Sequence, residues 1–245
     1  MTITTTRRQA GHRFLVYGAP GAGKTYLAAS TRSCVFVPVE DGLMGVPWDV
    51  PRTSPPASFP DLVRSVREAA AYAATEGLRH VALDSLTGIE RLVYVRACGD
   101  TGRAWSEAVD YGKLWKVARP IWSALLSELD DVSRSGLHVW LLAHGCEETA
   151  ADAETGKTWR RQTIQIDGTR DTIHETRTAL VAWADHVLCL TRDVSIMRQR
   201  DAARPVARVG ERVLWTSDTL GQCVAKNRAS LPDELPGTWE ALRDA

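Results

Sequence analysis

The sequence lacks both a cysteine pattern and an excess of charge. Its five cysteines lie far apart and form no C-x-x-C pair, so they indicate no metal site and fit a reducing compartment as small apolar side chains. The 30 basic and 30 acidic residues give a formal net charge of +0. Because no overall field would attract a polyanion, any contact with nucleic acid has to come from a local basic patch.

Targeting and membrane signals are also missing. The N-terminus, MTITTTRR, contains no apolar core, and no later segment has the long uncharged run that a membrane span needs. We therefore expect a cytoplasmic protein with no membrane partner. The sequence contains no internal repeat and no convincing linker, so we predict a flexible segment over residues 1–11 and one domain over 12–245.

What the sequence does contain is a phosphate-binding loop. Residues 18–25 read GAPGAGKT, which fits G-x-x-x-x-G-K-[ST], and they follow an apolar run that is typical of a buried strand. Glycines let successive backbone N–H groups curl around phosphate oxygens at the start of a helix. We expect Lys24 to reach the β- and γ-phosphates of ATP and Thr25 to bind Mg²⁺. The predicted nucleotide contacts are Gly18, Ala19, Pro20, Gly21, Ala22, Gly23, Lys24, Thr25 and Tyr26.

Apolar runs that alternate with helical periodicity predict an α/β fold. Near-continuous apolar runs, typical of strands covered on both faces, occur at about 13–17, 34–39, 80–84, 137–143 and 186–190. A helix should begin near Ser58 and end at Gly77. The longest helical pattern covers about 106–134, and Pro120 should kink or divide it.

Less regular stretches are assigned from their composition. Residues 88–106 should be partly helical and include a mobile loop, and the polar segment 145–180 should form a hairpin followed by a short helix over about 175–183. Antiparallel strands are expected around 194–200, 205–216 and 221–226. The stretch 191–212 carries six arginines, which suggests a basic face or an oligomer contact.

Three polar positions at strand ends are candidates for nucleotide hydrolysis. Open α/β sheets bind ligands at the carboxyl ends of their strands, where Asp84 is placed to hold Mg²⁺. Glu40 is the candidate base for the attacking water, with Asp41 as its rival, although an acidic pair at a strand end can simply be solvated. His144 is placed to contact the γ-phosphate, and a structural role for it is an equally good interpretation.

These pieces together resemble the RecA-like ATPases. The resemblance is carried by Val-Glu-Asp-Gly-Leu at 39–43, Asp84-Ser85-Leu86, the Ala143-His144 strand end and Ala225-Lys226-Asn227-Arg228, which is similar to the Lys-Asn-Arg signature of bacterial RadA proteins. With Asp-Tyr-Gly-Lys at 110–113, the chain looks most like the compact bacteriophage ATPases of recombination and single-strand annealing. It departs from that pattern after Arg228, where Ala-Ser-Leu-Pro follows, and it shows no separate N-terminal domain like that of RecA.

The resemblance implies an α/β fold with a RecA-like core, in which a mixed sheet with a parallel centre is flanked by helices. It also implies a homo-oligomer with ATP at the subunit boundary, where Lys226 and Arg228 reach the neighbour's ATP as an arginine finger does. Single-stranded DNA and a single-strand-binding protein are the implied partners.

A direct DNA contact is the weaker prediction. Lys157, Trp159, Arg160 and Arg161 combine cations with an aromatic ring that can hold phosphates and stack a base. Four carboxylates precede them between residues 147 and 154, so a solvated hairpin explains the composition equally well. The leading hypothesis is a Mg²⁺-dependent ATPase acting on single-stranded DNA. The alternatives are a nucleotide-dependent switch that binds a replication protein and, third, small-molecule phosphotransfer.

Overall fold

The structure is a computed structural model that describes residues 10–102, 113–152, 154–166, 170–197, 206–218 and 221–245. Most of the segment expected to be flexible, and residues 110–112 of the family resemblance, lie outside these ranges. No helix in the described ranges is long and apolar enough to cross a membrane.

A mixed β-sheet organises the described chain. Four pairs of neighbouring strands are parallel: β2 with β3, β3 with β4, β4 with β1 and β1 with β6. The strands β7 and β8 continue the sheet with antiparallel pairing. The strand β5 pairs with the extended end of β4, off the main path of the sheet. The strands are β1 (Arg13–Gly18), β2 (Cys34–Pro38), β3 (His80–Asp84), β4 (His138–Ala151), β5 (Thr158–Ile164), β6 (His186–Met197), β7 (Val206–Trp215) and β8 (Glu234–Pro236). The predicted parallel centre with antiparallel C-terminal strands is confirmed.

Helices cover both faces of the sheet. They are α1 (Lys24–Ala29), α2 (Phe59–Glu76), α3 (Leu86–Thr101), α4 (Lys113–Arg134), α5 (Arg170–Trp183) and α6 (Trp239–Asp244). Alternate residues of β1 point to opposite faces, so Leu15 joins a core with α2, α3, α4 and α5, whereas Val16 joins a core with α1 and α6. The sheet is thus buried on both sides, which explains the near-continuous apolar runs.

Local signals fix the bounds of α2. The Ser58 side chain accepts a hydrogen bond from the Asp61 backbone N–H at 3.3 Å, and Pro60 occupies the first turn, where its missing N–H costs nothing. Gly77 ends the helix with φ of 67°, a left-handed conformation that glycine adopts without steric penalty. Both predicted ends are confirmed.

One helical prediction needs correction in part. Pro120 does not divide the longest helix, because the apolar face of α4 packs on the sheet core strongly enough to tolerate one lost backbone hydrogen bond. The helical part of the segment predicted over 88–106 is confirmed by α3, in which Ile89 and Val93 bury one face and which Gly102 ends, whereas residues 103–106 of that segment lie outside the described residues.

Two strand predictions also differ from the structure. Residues 221–226 form no strand, because they do not pair continuously with one neighbour. Cys223 forms an isolated bridge with Gln162 in β5, and Lys226 forms one with Val187 in β6. In contrast, β4 continues well past residue 143 to Ala151 and forms the expected hairpin with β5. The helix α5 begins at Arg170, earlier than predicted.

Candidate nucleotide-binding site

The sheet order brings the candidate residues to one edge. The strand β4 lies between β1 and β3, and the register pairs Gly18 with His144 and Asp84 with Leu142. The carboxyl ends of β1 and β3 therefore meet beside residues 142–144 of β4. A cavity of about 520 Å³ opens there, and its lining includes Gly21, Lys24, Thr25, Glu40, Asp84 and His144. The structure thus brings four separately predicted pieces of sequence, the loop, Glu40, Asp84 and His144, into one pocket.

The loop between β1 and α1 curls around its own lysine. The Lys24 ammonium donates to the carbonyls of Gly18 at 2.9 Å and Ala19 at 3.1 Å. Burial lowers the pKa of Lys24, and the nearby carboxylates of Asp84 and Glu40 oppose that shift. Among the described residues, this buried cation has only backbone carbonyls as hydrogen-bond partners, which leaves it ready to bind a phosphate group.

Thr25 and Asp84 form an oxygen pair beside the loop. The Thr25 hydroxyl donates to Asp84 Oδ2 at 2.6 Å, and burial raises the pKa of the Asp84 carboxyl while this hydrogen bond and Lys24 lower it. A Cβ added to Gly42 would lie 2.7 Å from Asp84 Oδ2 and 3.3 Å from Thr25 Oγ1. Only glycine leaves that space free, and hard oxygen ligands beside it suit Mg²⁺. Sequence reasoning placed both ligands but overlooked Gly42, whose only signal was its position after two carboxylates.

Glu40 and His144 face each other across the pocket. Glu40 Oε2 lies 3.4 Å from His144 Nε2, and the Glu40 backbone N–H donates to the Asp84 carbonyl at 2.9 Å. The second nitrogen of His144, Nδ1, is buried without a hydrogen-bond partner among the described residues. Asp41 lies at the exposed rim of the same pocket. The geometry therefore separates the two neighbouring carboxylates that the sequence could not rank.

Arg212 completes the lining from an element that sequence reasoning did not connect with the loop. It lies on β7, and its guanidinium carbon is 5.2 Å from the centre of the Tyr26 ring. The Tyr26 ring in turn meets the Trp48 ring edge to face at 5.3 Å between centroids. The only sequence signal was the arginine-rich stretch 191–212, which indicated charge but gave no position in space.

Lys226 and Arg228 lie away from this pocket, at the amino ends of the parallel strands. The Lys226 ammonium donates to the carbonyls of Val181 at 2.8 Å and Ala184 at 2.7 Å, at the end of α5. Arg228 forms an ion pair with Asp185 at 3.0 Å. Within one chain, these two side chains do not contact the nucleotide pocket.

The predicted DNA contacts lie on the β4–β5 hairpin, and the structure distributes them over it. Arg160 is paired with Glu147 at 3.3 Å, and Arg161 with Glu148 at 2.8 Å. The Trp159 ring is partly exposed and donates to the Gly221 carbonyl at 2.8 Å, while Lys157 is exposed near the turn. Because strand residues alternate, Arg160 faces away from its two neighbours.

The fold and the pocket together define a P-loop nucleoside triphosphatase core, because a phosphate loop, a Mg²⁺-type oxygen pair and a facing carboxylate meet at the carboxyl ends of a parallel sheet. The family model described as "AAA domain" matches residues 10–229, and the chain belongs to that family of nucleotide-binding ATPase domains. No curated protein matches the chain significantly.

Proposed function

We propose that this chain hydrolyses ATP in a Mg²⁺-dependent reaction. The observation that carries the proposal is the meeting of Lys24, Thr25, Asp84 and Glu40 in one cavity of about 520 Å³. The loop amides and Lys24 would hold the phosphates, and Thr25 and Asp84 would hold the metal. A bound Mg²⁺ would neutralise charge on the terminal phosphates.

Glu40 is the residue we assign to the attacking water. Its carboxylate lies at the end of β2, and a positioned carboxylate can orient a water and accept its proton. The 3.4 Å contact with His144 supports this assignment over Asp41, because it links the base to a side chain that can respond to the γ-phosphate. In contrast, the Asp41 side chain is exposed at the rim of the pocket.

We infer that the hairpin transmits the nucleotide state to single-stranded DNA, in the recombination or annealing role that the sequence resembles. His144 and the hairpin belong to one continuous strand, β4, which ends at Ala151. The seven steps along the strand from His144 to Ala151 span about 23 Å at the usual rise of a strand. A movement of His144 at the pocket would therefore reach the exposed cations near the hairpin turn.

A nucleotide-dependent switch that binds a protein partner is the second candidate. The hairpin carries four carboxylates against three cations between residues 147 and 161, and two of its arginines already form ion pairs. A surface with that balance attracts the phosphate backbone weakly. It suits a protein partner equally well.

ATP hydrolysis measured with and without single-stranded DNA separates the two candidates. The first predicts stimulation that fades as salt rises, because phosphate contacts release counterions. It also predicts that Arg160→Ala weakens DNA binding in fluorescence anisotropy, whereas Arg64→Ala, which removes an exposed and paired arginine from α2, leaves it unchanged. Hydrolysis without any DNA effect at low salt would favour the switch.

The oligomer is a further part of the proposal. We place the nucleotide at a boundary between copies, with Arg228 and Lys226 of one copy facing the pocket of the next. Mixing inactive Lys24→Ala and Arg228→Ala proteins tests this arrangement. If the arginine acts across the boundary, mixed oligomers regain part of the turnover; if turnover stays absent in the mixture, Arg228 has no such role.

A further inference from the structure

Arg212 is the one cation of the pocket that the proposed hydrolysis does not use. It lies on β7, an antiparallel strand outside the parallel core, yet it borders the phosphate loop. A Cβ added to Gly23 would lie 2.7 Å from Arg212 Nε and 2.9 Å from its Nη2. The loop therefore keeps a glycine where the guanidinium packs against it.

Within the described part of the chain, the Arg212 side chain has no hydrogen-bond acceptor. Its Nε is buried without a hydrogen-bond partner among the described residues. No carboxylate in the described ranges forms an ion pair with it, and its closest aromatic contact is the Tyr26 ring. A buried guanidinium N–H without an acceptor is costly, so an anion that binds beside the loop would remove that cost.

The strand register adds a second, independent observation. Arg212 on β7 is directly opposite Arg192 on β6. Like charges placed directly opposite each other destabilise an antiparallel pair. The pairing with Arg192 therefore disfavours a cation at position 212, which supports a role for its charge in binding a ligand.

The position of Arg212 indicates which part of the ligand it touches. It contacts Gly23 and Tyr26, which lie one turn apart at the start of α1, whereas Thr25 between them faces Asp84. Glu40 and His144 lie with Asp84, where the proposed hydrolysis puts the terminal phosphate. Arg212 thus contacts residues of the loop other than Thr25, which faces the hydrolytic residues.

We propose that Arg212 binds the diphosphate portion that ADP and ATP share, from within the same chain that carries the loop. This inference rests on the proposed nucleotide site. Arg212 is then a binding residue that holds product as firmly as substrate, in contrast to a finger that acts on the terminal phosphate. Its loss weakens ground-state binding and leaves the hydrolytic step largely intact.

Equilibrium binding of fluorescent ADP with Mg²⁺ tests the proposal. Arg212→Gln keeps a polar side chain but shortens it and removes its charge, and it should weaken ADP and ATP binding by a similar factor of about 10 to 100, the usual effect of losing a charged hydrogen bond. The affinity of Arg212→Lys for ADP and ATP should lie between those of the wild type and Arg212→Gln. Arg64→Ala is the control, because Arg64 is an exposed arginine on α2 that does not line the phosphate pocket.

Competition with pyrophosphate distinguishes a phosphate contact from a contact with the nucleoside. Pyrophosphate should bind Arg212→Gln more weakly than it binds the wild type, and the factor should be the same as for ADP. If folded Arg212→Gln binds ADP within twofold of the wild type, or if only the nucleoside contribution changes, the proposal is overturned while the nucleotide site stands. If the wild-type chain binds neither ADP nor ATP, both proposals fail.

Discussion

At the scale of single residues, the pocket distinguishes neighbours that are alike in sequence. Glu40 and Asp41 are adjacent carboxylates, but only Glu40 faces His144 across the cavity. Lys24 and Lys226 are both buried enough for burial to lower their pKa, yet one lies in the phosphate loop and the other at the end of a helix. Chemistry is thus assigned by what each side chain faces.

The choice of base gives a prediction with an internal control. Glu40→Gln should keep ATP binding but lower turnover by about 10²- to 10⁴-fold, because the amide can no longer accept the proton from water. Asp41→Asn should stay within a few-fold of the wild type. Phosphate release and equilibrium ATP binding, measured on both variants, check this. A loss of turnover in Asp41→Asn alone would show that the base is misassigned.

At the scale of elements, Lys226 acts as a cap for α5. Its ammonium satisfies carbonyls that the helix end leaves without partners, and it places a positive charge at the negative end of the helix dipole. A residue with this structural task can still contact a neighbouring subunit. Stability measurements distinguish the cap from a role in turnover.

Lys226→Met should lower the free energy of unfolding by about 1–3 kcal/mol, since it keeps the aliphatic stem and removes hydrogen bonds from a charged donor. Arg228→Met should lower it by at most about 1 kcal/mol, because that ion pair is half exposed. Urea unfolding of both variants measures these effects. An unchanged unfolding free energy for Lys226→Met would contradict the capping role.

Elements with strong local signals could be predicted, whereas their neighbours in space could not. Ser58 and Gly77 specify the ends of α2 through the local backbone, so the sequence sufficed there. The pairing of β4 between β1 and β3, which brings His144 beside Gly18, depends on long-range packing. For the same reason, the sequence showed that Arg212 carries a charge but could not show that it lies beside Gly23.

At the scale of the whole molecule, a row of histidines crosses the amino ends of the parallel strands. Along the row the order is His80, His138, His12 and His186. Three of them are the first residues of β3, β4 and β6, and His12 directly precedes β1. Neighbouring rings lie 4.8 to 5.5 Å apart. Burial lowers the pKa of His80 to about 3 and that of His186 to about 4. The folded chain therefore excludes protons that the unfolded chain would bind.

This row should make the protein sensitive to acid. Unfolded histidine binds a proton below pH ~6.5, so stability should fall as pH decreases from there towards about 4, by about 2 kcal/mol at pH 5 for each of His80 and His186. His186→Phe keeps a ring beside Phe14 and should lose its share of the pH dependence. Urea unfolding at pH 7.5 and pH 5 checks this. Equal pH dependence in variant and wild type would contradict it.

Phosphate release from ATP by the wild-type chain tests the central claim most directly, compared with Lys24→Ala and with the wild type plus a chelator. We expect turnover with Mg²⁺ that falls by at least about 10²-fold in folded Lys24→Ala, because the phosphates lose a buried cation, and that stops when the metal is removed. Wild-type protein that neither binds nor hydrolyses ATP, or Lys24→Ala that hydrolyses it at the wild-type rate, would contradict the account.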